Sequence, residues 1–319
     1  MRVLVTGMGG EIGTRVAQLL EARTEVTDIL GIDFVPPRRR LQRAVFKRID
    51  PREREKVVAT VLDFAPQAVA HAAVYEPAAR MSAHLAGVRT EAAAVAALGA
   101  AARAGALERV AIRSALDVYG RGPRHPRVPD ERSIVAPTTP WGRSCVAVEA
   151  LATELARRHG FSLAALRLAP MVGPHLPSPL GRVLRLPTVP VPTFSDPSFS
   201  LISLTDSAQA FVLTLLSGFE GPVNIVAPGS ITPWQAARFG GRVPLPIIGP
   251  AWRLARAGAE FLGAPIPPHV LETLRLGRSG DATRMQQELG LTIEKSARDI
   301  CAELFDWAAV VPMRPGVAA

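Results

Sequence analysis

The chain of 319 residues is poor in cysteine, aromatic residues and lysine. Its two cysteines, Cys145 and Cys301, cannot build a disulfide framework or a cysteine-based zinc site, which favours a reducing compartment. Aromatics make up 5%, with two tyrosines, Tyr75 and Tyr119, so apolar packing must rest on Ala, Val, Leu and Ile. Lysine stands only at positions 47, 56 and 295, and arginine supplies the rest of the 37 basic residues. No run approaches the roughly 20 apolar residues of a membrane span, and the first ten residues lack a signal-peptide layout. The expectation is a cytoplasmic protein with no membrane partner. A hydrophobic share of 48% against 20% charged excludes a disordered chain. The 29 Pro and 26 Gly follow no period, which excludes collagen.

The net charge of +9 and the cluster Arg38, Arg39, Arg40, Arg43, Lys47 and Arg48 raise the question of a polyanion partner. The cluster lacks a set of interleaved aromatics on which single-stranded bases would stack. Arginine with abundant alanine is also what a GC-rich genome writes. Nucleic acid therefore ranks last among the readings.

Apolar runs alternate with helical patterns through the first half. Strands are expected at residues 2–6, 27–33, 45–50, 68–73, 109–114 and 163–168, with helices at 14–21, 53–64, 90–104 and 146–159. That alternation predicts an α/β fold, a Rossmann-type doubly wound parallel sheet. The domain expectation is a dinucleotide-binding unit over 1–169. A smaller C-terminal substrate lobe covers 170–319, with segments near 201–232 returning to the first unit. Residues 170–197 and 240–268, broken by Pro and Gly, read as loop-rich, the latter with one short helix.

The sharpest motif is Thr6-Gly7-Met8-Gly9-Gly10-Glu11-Ile12-Gly13, set between a strand and a helix. Gly7 permits the turn, Gly10 lets a phosphate approach the backbone, and Gly13 lets helix and sheet close together. The N–H groups of the turn and the helix dipole then suit a pyrophosphate. Asp33, at the end of the second strand, is placed to bond a ribose 2′-hydroxyl. Its charge would repel a 2′-phosphate, so NAD is favoured over NADP. Arg38 to Arg40, which would favour NADP, lie beyond Pro36-Pro37 and read as a solvated loop.

With these residues in view, the chain resembles the extended short-chain dehydrogenase/reductases, the NAD-dependent epimerase/dehydratase family. The loop 6–13 matches T-G-x-x-G-x-x-G. Asp50 stands where the family places an aspartate near the adenine, and His71-Ala72-Ala73 resembles the motif beside the cofactor. Val118-Tyr119-Gly120, Leu166-Arg167 through Gly173-Pro174, and Asp281 with Glu288-Leu289-Gly290 complete six matches in family order. The resemblance implies cofactor contacts at Gly7, Gly10, Glu11, Ile12, Gly13, Asp33, Asp50, His71, Ala72 and Ala73. It also implies a homodimer formed through the helices at 90–104 and 146–159.

The family's reaction uses a Tyr-x-x-x-Lys pair and a Ser or Thr hydroxyl. Pro140-Trp141-Gly142-Arg143-Ser144-Cys145 aligns on P-Y-G-x-S-K, so Trp141 stands for the tyrosine and Cys145 for the lysine. Counting back from Gly120, Ala115 holds the hydroxyl position, with Ser114 one residue early; Gly87-Val88 replaces Asn-Val. An indole has no accessible proton-transfer pKa, and a positioned acid/base contributes about 10²–10⁴ in rate. The expected function is thus a dinucleotide binder without the family reaction, a redox sensor, scaffold or inactive subunit. The alternative is an oxidoreductase or epimerase using a substitute acid, for which Tyr75 is the candidate. Cys145 as a nucleophile and Asp117 with Arg113 as an acid/cation pair are weighed and set behind packing and solvation. No metal site is expected; His125, His159, His175 and His269 show no ligand spacing.

Overall fold

The computed structural model describes residues 1–79, 81–122 and 125–306. Its main sheet contains β1 (Arg2–Thr6), β2 (Asp28–Asp33), β3 (Val45–Arg48), β4 (Ala68–His71), β5 (Arg109–Ala115), β6 (Ser162–Leu168) and β8 (Gly221–Ile225). The order is β3-β2-β1-β4-β5-β6-β8, and every pairing is parallel. This is the doubly wound sheet that the strand–helix alternation predicts. The order reverses between β1 and β4, so the carboxyl ends of those strands open a crevice suited to ligands.

The covering helices in chain order are α1 (Glu11–Glu21), α2 (Arg54–Phe64), α3 (Ala83–Ala93), α4 (Gly99–Arg103), α5 (Pro140–His159) and α6 (Pro179–Leu184). They continue with α7 (Leu204–Ser217), α8 (Pro233–Phe239), α9 (Trp252–Phe261), α10 (Pro268–Leu276), α11 (Thr283–Gln287) and α12 (Ala297–Glu303). Two helices begin earlier than their apolar spacing suggests, because side-chain caps set the start. Ser82 accepts from Leu85 N ahead of α3, and Thr139 accepts from Gly142 N ahead of α5, where Pro140 fills the first turn.

A π-helical turn at Ala94–Leu98 joins α3 to α4, giving a continuous rod from Ala83 to Arg103. By length and composition this rod would pass for a membrane-crossing helix, against the expectation that no run approaches a membrane span. Of its most apolar window, 56% is buried inside the protein, as expected of a core helix. The strands beneath it are dry: Val3, Leu4, Val5, Val69, Ala70, Ala111 and Ile112 are all fully buried.

A second sheet of two parallel strands, β7 (Thr188–Pro192) and β9 (Val243–Ile247), corrects the reading of 170–197 and 240–268 as loops with one short helix. Pro190, Pro192, Pro244 and Pro246 hide both strands from a sequence pattern, since proline normally demotes a strand. Each strand here has a free edge where a missing N–H costs no ladder bond, and Val189 and Val191 are fully buried.

Candidate functional site

The turn between β1 and α1 is the base of the crevice. Gly7 has a φ of +70°, and a Cβ on Gly13 would lie 2.1 Å from the Gly7 carbonyl oxygen. Both positions are therefore fixed by backbone geometry. Gly10 differs: a Cβ there would meet only the Gly7 oxygen, at 3.3 Å. Gly10 caps α1 with no side chain, so the first-turn N–H groups face a cleft of about 230 Å³. Gly7, Gly10, Glu11, Ile12, Gly13 and Ala72 line it. A diphosphate is the group such a surface suits.

Asp33 ends β2 beside this loop, where it is 3% exposed. Its Oδ2 accepts from Gly9 N at 3.0 Å, and its Oδ1 accepts from Phe34 N at 2.7 Å and from the Tyr75 hydroxyl at 3.3 Å. Burial pushes the Asp33 carboxyl up to about 6, with those donors pulling the other way. Asp50 is tied to Arg52 at 2.9 Å and to Arg89 at 3.4 Å, and the Arg52 bond foremost holds it down at about 2. His71 is fully buried, its Nδ1 2.8 Å from Thr6 Oγ1 and its Nε2 without a partner. Burial lowers it to about 3, so it is a neutral wedge between β1 and β4. Ala73 lines a small cavity with Asp33 and Tyr75.

Tyr75, the candidate substitute acid, lines a different cavity from Ala115 and Trp141. Asp33, Ile49 and Pro51 line that cavity with it. Burial raises its phenol well above the usual value, and Asp33 adds to that.

Around Ala115 and Trp141 the structure gathers charges that no spacing in the sequence announces. Glu76 meets Arg113 at 3.2 Å and His269 Nε2 at 3.1 Å. Burial alone would raise the Glu76 carboxyl, but His269 and Arg113 hold it below the ordinary range. Arg113 stands 5.3 Å from the buried Trp141 ring, and the His269 ring 6.0 Å from the same indole. Asp117 pairs with Arg278 at 3.5 Å rather than with Arg113, and both are buried instead of solvated. The cavity enclosed by these groups holds about 30 Å³.

Cys145 is fully buried, and burial raises its thiol well above the usual value, which leaves no thiolate to attack. Ser114 Oγ donates to Glu149 at 2.5 Å, and Glu149 pairs with Arg167 at 2.8 Å. Arg167 reaches the Tyr119 hydroxyl at 2.9 Å, which donates to Asn224 Oδ1 at 2.7 Å. Ser114 and Tyr119 therefore belong to a network tying β5, β6, β8 and α5 together. Among the described residues no group of His, Cys, Asp and Glu is arranged to hold a metal.

The arginine cluster is partly committed within the chain. Arg38 pairs with Glu11 at 3.3 Å, Arg43 binds the Glu21 carbonyl at 2.8 Å, and Arg48 binds the Phe34 carbonyl at 2.9 Å.

A parallel doubly wound sheet with a glycine turn after its first strand and a carboxylate ending its second defines a Rossmann-type nucleotide-binding class. The sequence pattern of the NAD dependent epimerase/dehydratase family matches residues 3–224, and the chain belongs to that family. Uncharacterized proteins of Mycobacterium tuberculosis and Mycobacterium bovis are each 30% identical over 302 residues, covering 90% of this chain and 79% of the relative. The fold resembles the UDP-glucose 4-epimerase of Stenotrophomonas maltophila solved with NAD and formylated UDP-arabinopyranose. That pair has a TM-score of 0.74 at 22% identity and covers 96% of this chain and 97% of the other. It also resembles the Thermus thermophilus UDP-glucose 4-epimerase complex with NAD, at TM-score 0.73 and 22% identity, with 98% and 100% covered.

Proposed function

We propose that this chain binds NAD in the crevice above β1 and β4 without performing the family's reaction, and serves as a redox sensor, scaffold or inactive partner subunit in the cytoplasm. The observation that carries the reading is the reacting end. Ala115 offers a methyl group, Trp141 an indole and Cys145 a buried thiol, and Glu76, Arg113 and His269 leave about 30 Å³. That pocket alone suits one or two waters. Glu76 and Arg113 also border the cleft of about 230 Å³ over the glycine turn, so the chemistry of Ala115, Trp141 and Cys145 rather than the space carries the reading.

The residues present fit the cofactor's centre. The Gly10–Gly13 turn faces the cleft with its N–H groups, and Asp33, at the end of β2, is the carboxylate that would accept from the ribose once the Tyr75 hydroxyl gives way. When bound, NAD supplies a hydride acceptor; the chain's own part is to bind and orient it. The Stenotrophomonas and Thermus epimerases carry NAD, which supports the same choice here. Asp33 favours NAD over NADP, and Arg38, already paired with Glu11, is no ready partner for a 2′-phosphate.

The test is calorimetric titration with NAD, NADH, NADP and NADPH, beside absorbance of reduced nicotinamide and chromatography of UDP-sugars incubated with the protein and NAD. The expected result is NAD or NADH binding, weakened about tenfold or more by Asp33→Ala, with neither net nicotinamide reduction nor conversion of a UDP-sugar. Turnover would restore the enzyme reading, and absence of binding to all four would remove NAD.

A further inference from the structure

We infer that Tyr75 is the residue that sets which nucleotides this crevice accepts, because its side chain stands in for the adenosine ribose. The inference rests on the NAD-binding reading above. Three donors meet at the Asp33 carboxylate, and two of them, Gly9 N and Phe34 N, are backbone groups fixed by the fold. The third is the Tyr75 hydroxyl on Oδ1. A ribose 2′-hydroxyl bonding Asp33 would make the same kind of contact at the same carboxylate. Asp33 is nearly fully buried, so hydroxyl and ribose compete for one place.

The neighbouring groups extend this closure toward the position expected for the purine. The Phe34 ring lies 5.6 Å from the Tyr75 ring, and the Arg89 guanidinium covers Phe34 at 4.0 Å while pairing with Asp50. A chain of contacts thus runs from Asp33 at the end of β2 to Asp50 just past β3. What remains beside Tyr75 is about 10 Å³, lined by Ile49, Pro51, Ala93 and Ala97, barely the volume of one water. Neither a ribose nor a purine enters there while Tyr75 holds its rotamer.

Two features make the side chain displaceable. At 3.3 Å its bond to Asp33 is long for an O–H···O contact. Its backbone N is held by Thr90 Oγ1 on α3 at 2.9 Å, so the main chain is anchored and the ring can leave by side-chain rotation. A ligand with an adenosine half must supply that rotation from its own binding energy. One without adenosine does not touch Asp33 and meets no such demand.

The experiment is calorimetric titration of wild type, Tyr75→Phe and Tyr75→Ala with NAD, ADP-ribose and nicotinamide mononucleotide, each variant checked by a thermal melt. Tyr75→Phe keeps the ring and removes the competing hydroxyl, so it decides the matter if Tyr75→Ala fails to fold. The expected result is NAD and ADP-ribose binding about tenfold tighter in Tyr75→Phe, as for loss of one hydrogen-bond competitor on a carboxylate, with nicotinamide mononucleotide unchanged. ADP-ribose binding that is equal or weaker in the variant overturns the inference, while wild-type NAD binding in that case leaves the proposed function standing. Binding by the variant and not by wild type supports the role of Tyr75 and removes NAD as the natural ligand. Binding by none overturns both.

Discussion

A carboxyl group that must stay near-dry to hold its place carries a pH signature. Burial raises Asp33 to about 6, against roughly 3.9 in an unfolded chain. Because the folded value is the higher one, the stabilising contribution is fully present below about pH 4 and is lost as pH rises through 6. The difference corresponds to ~3 kcal/mol. Wild-type stability relative to Asp33→Asn should therefore grow as pH falls from about 7 to 4, in denaturant melts at each pH; a flat difference would show that Asp33 is not so shifted. The carboxylate itself was legible in the sequence, from its place at the end of a strand after a glycine turn. The position of Tyr75 was not. Tyr75 and Glu76 are consecutive, yet the first lines the Asp33 cavity and the second the Trp141 cavity. Neighbouring side chains in extended backbone point opposite ways, and nothing in composition says which way a chain turns after a strand. His269 and Arg278 were equally hidden, because their partners Glu76 and Asp117 lie far away in sequence.

At the scale of elements, the turn of residues 6–13 was readable because its glycines answer to local geometry. A methyl on Gly13 would sit 2.1 Å from a backbone oxygen that cannot move aside as a side-chain tip would. Gly13→Ala should therefore displace α1 from β1, costing several kcal/mol in stability, of the order that severe overpacking costs, and abolishing nucleotide binding. A melt and a titration of the variant check both; an unshifted melt would mean the helix accommodates the methyl. Starts of helices were less legible than their middles. The apolar period marks α5 only from Val146, whereas Thr139 and Pro140 fix its true start. Strands β7 and β9 were missed for the opposite reason: their alternating prolines speak against a strand, and the two-stranded sheet tolerates them by leaving edges free.

On the scale of the molecule, a face remains that the chain's own packing does not cover. Between α3 and α5 runs a groove of about 530 Å³ lined by Gly87, Thr90, Ala94, Val95, Ala147 and Leu151 among others. Val95, which lines it, is 41% exposed. Small side chains on two long helices let a second pair of helices approach closely, which is how the resemblance to the family leads us to expect a homodimer. If two copies meet here, α3 serves two ends at once: its outer face would form the interface, while Thr90 holds the Tyr75 backbone and Ala93 lines the Asp33 cavity. Val95→Glu with Ala147→Glu would place like charges in such an interface without touching the crevice. The double variant should sediment as a monomer in analytical ultracentrifugation while the wild type sediments as a dimer. A wild-type monomer would remove the interface from the argument. A dimer unaffected by both charges would place it on another face. Nucleotide affinity measured on the monomer then tells whether the helix that anchors Tyr75 needs its partner to stay in register.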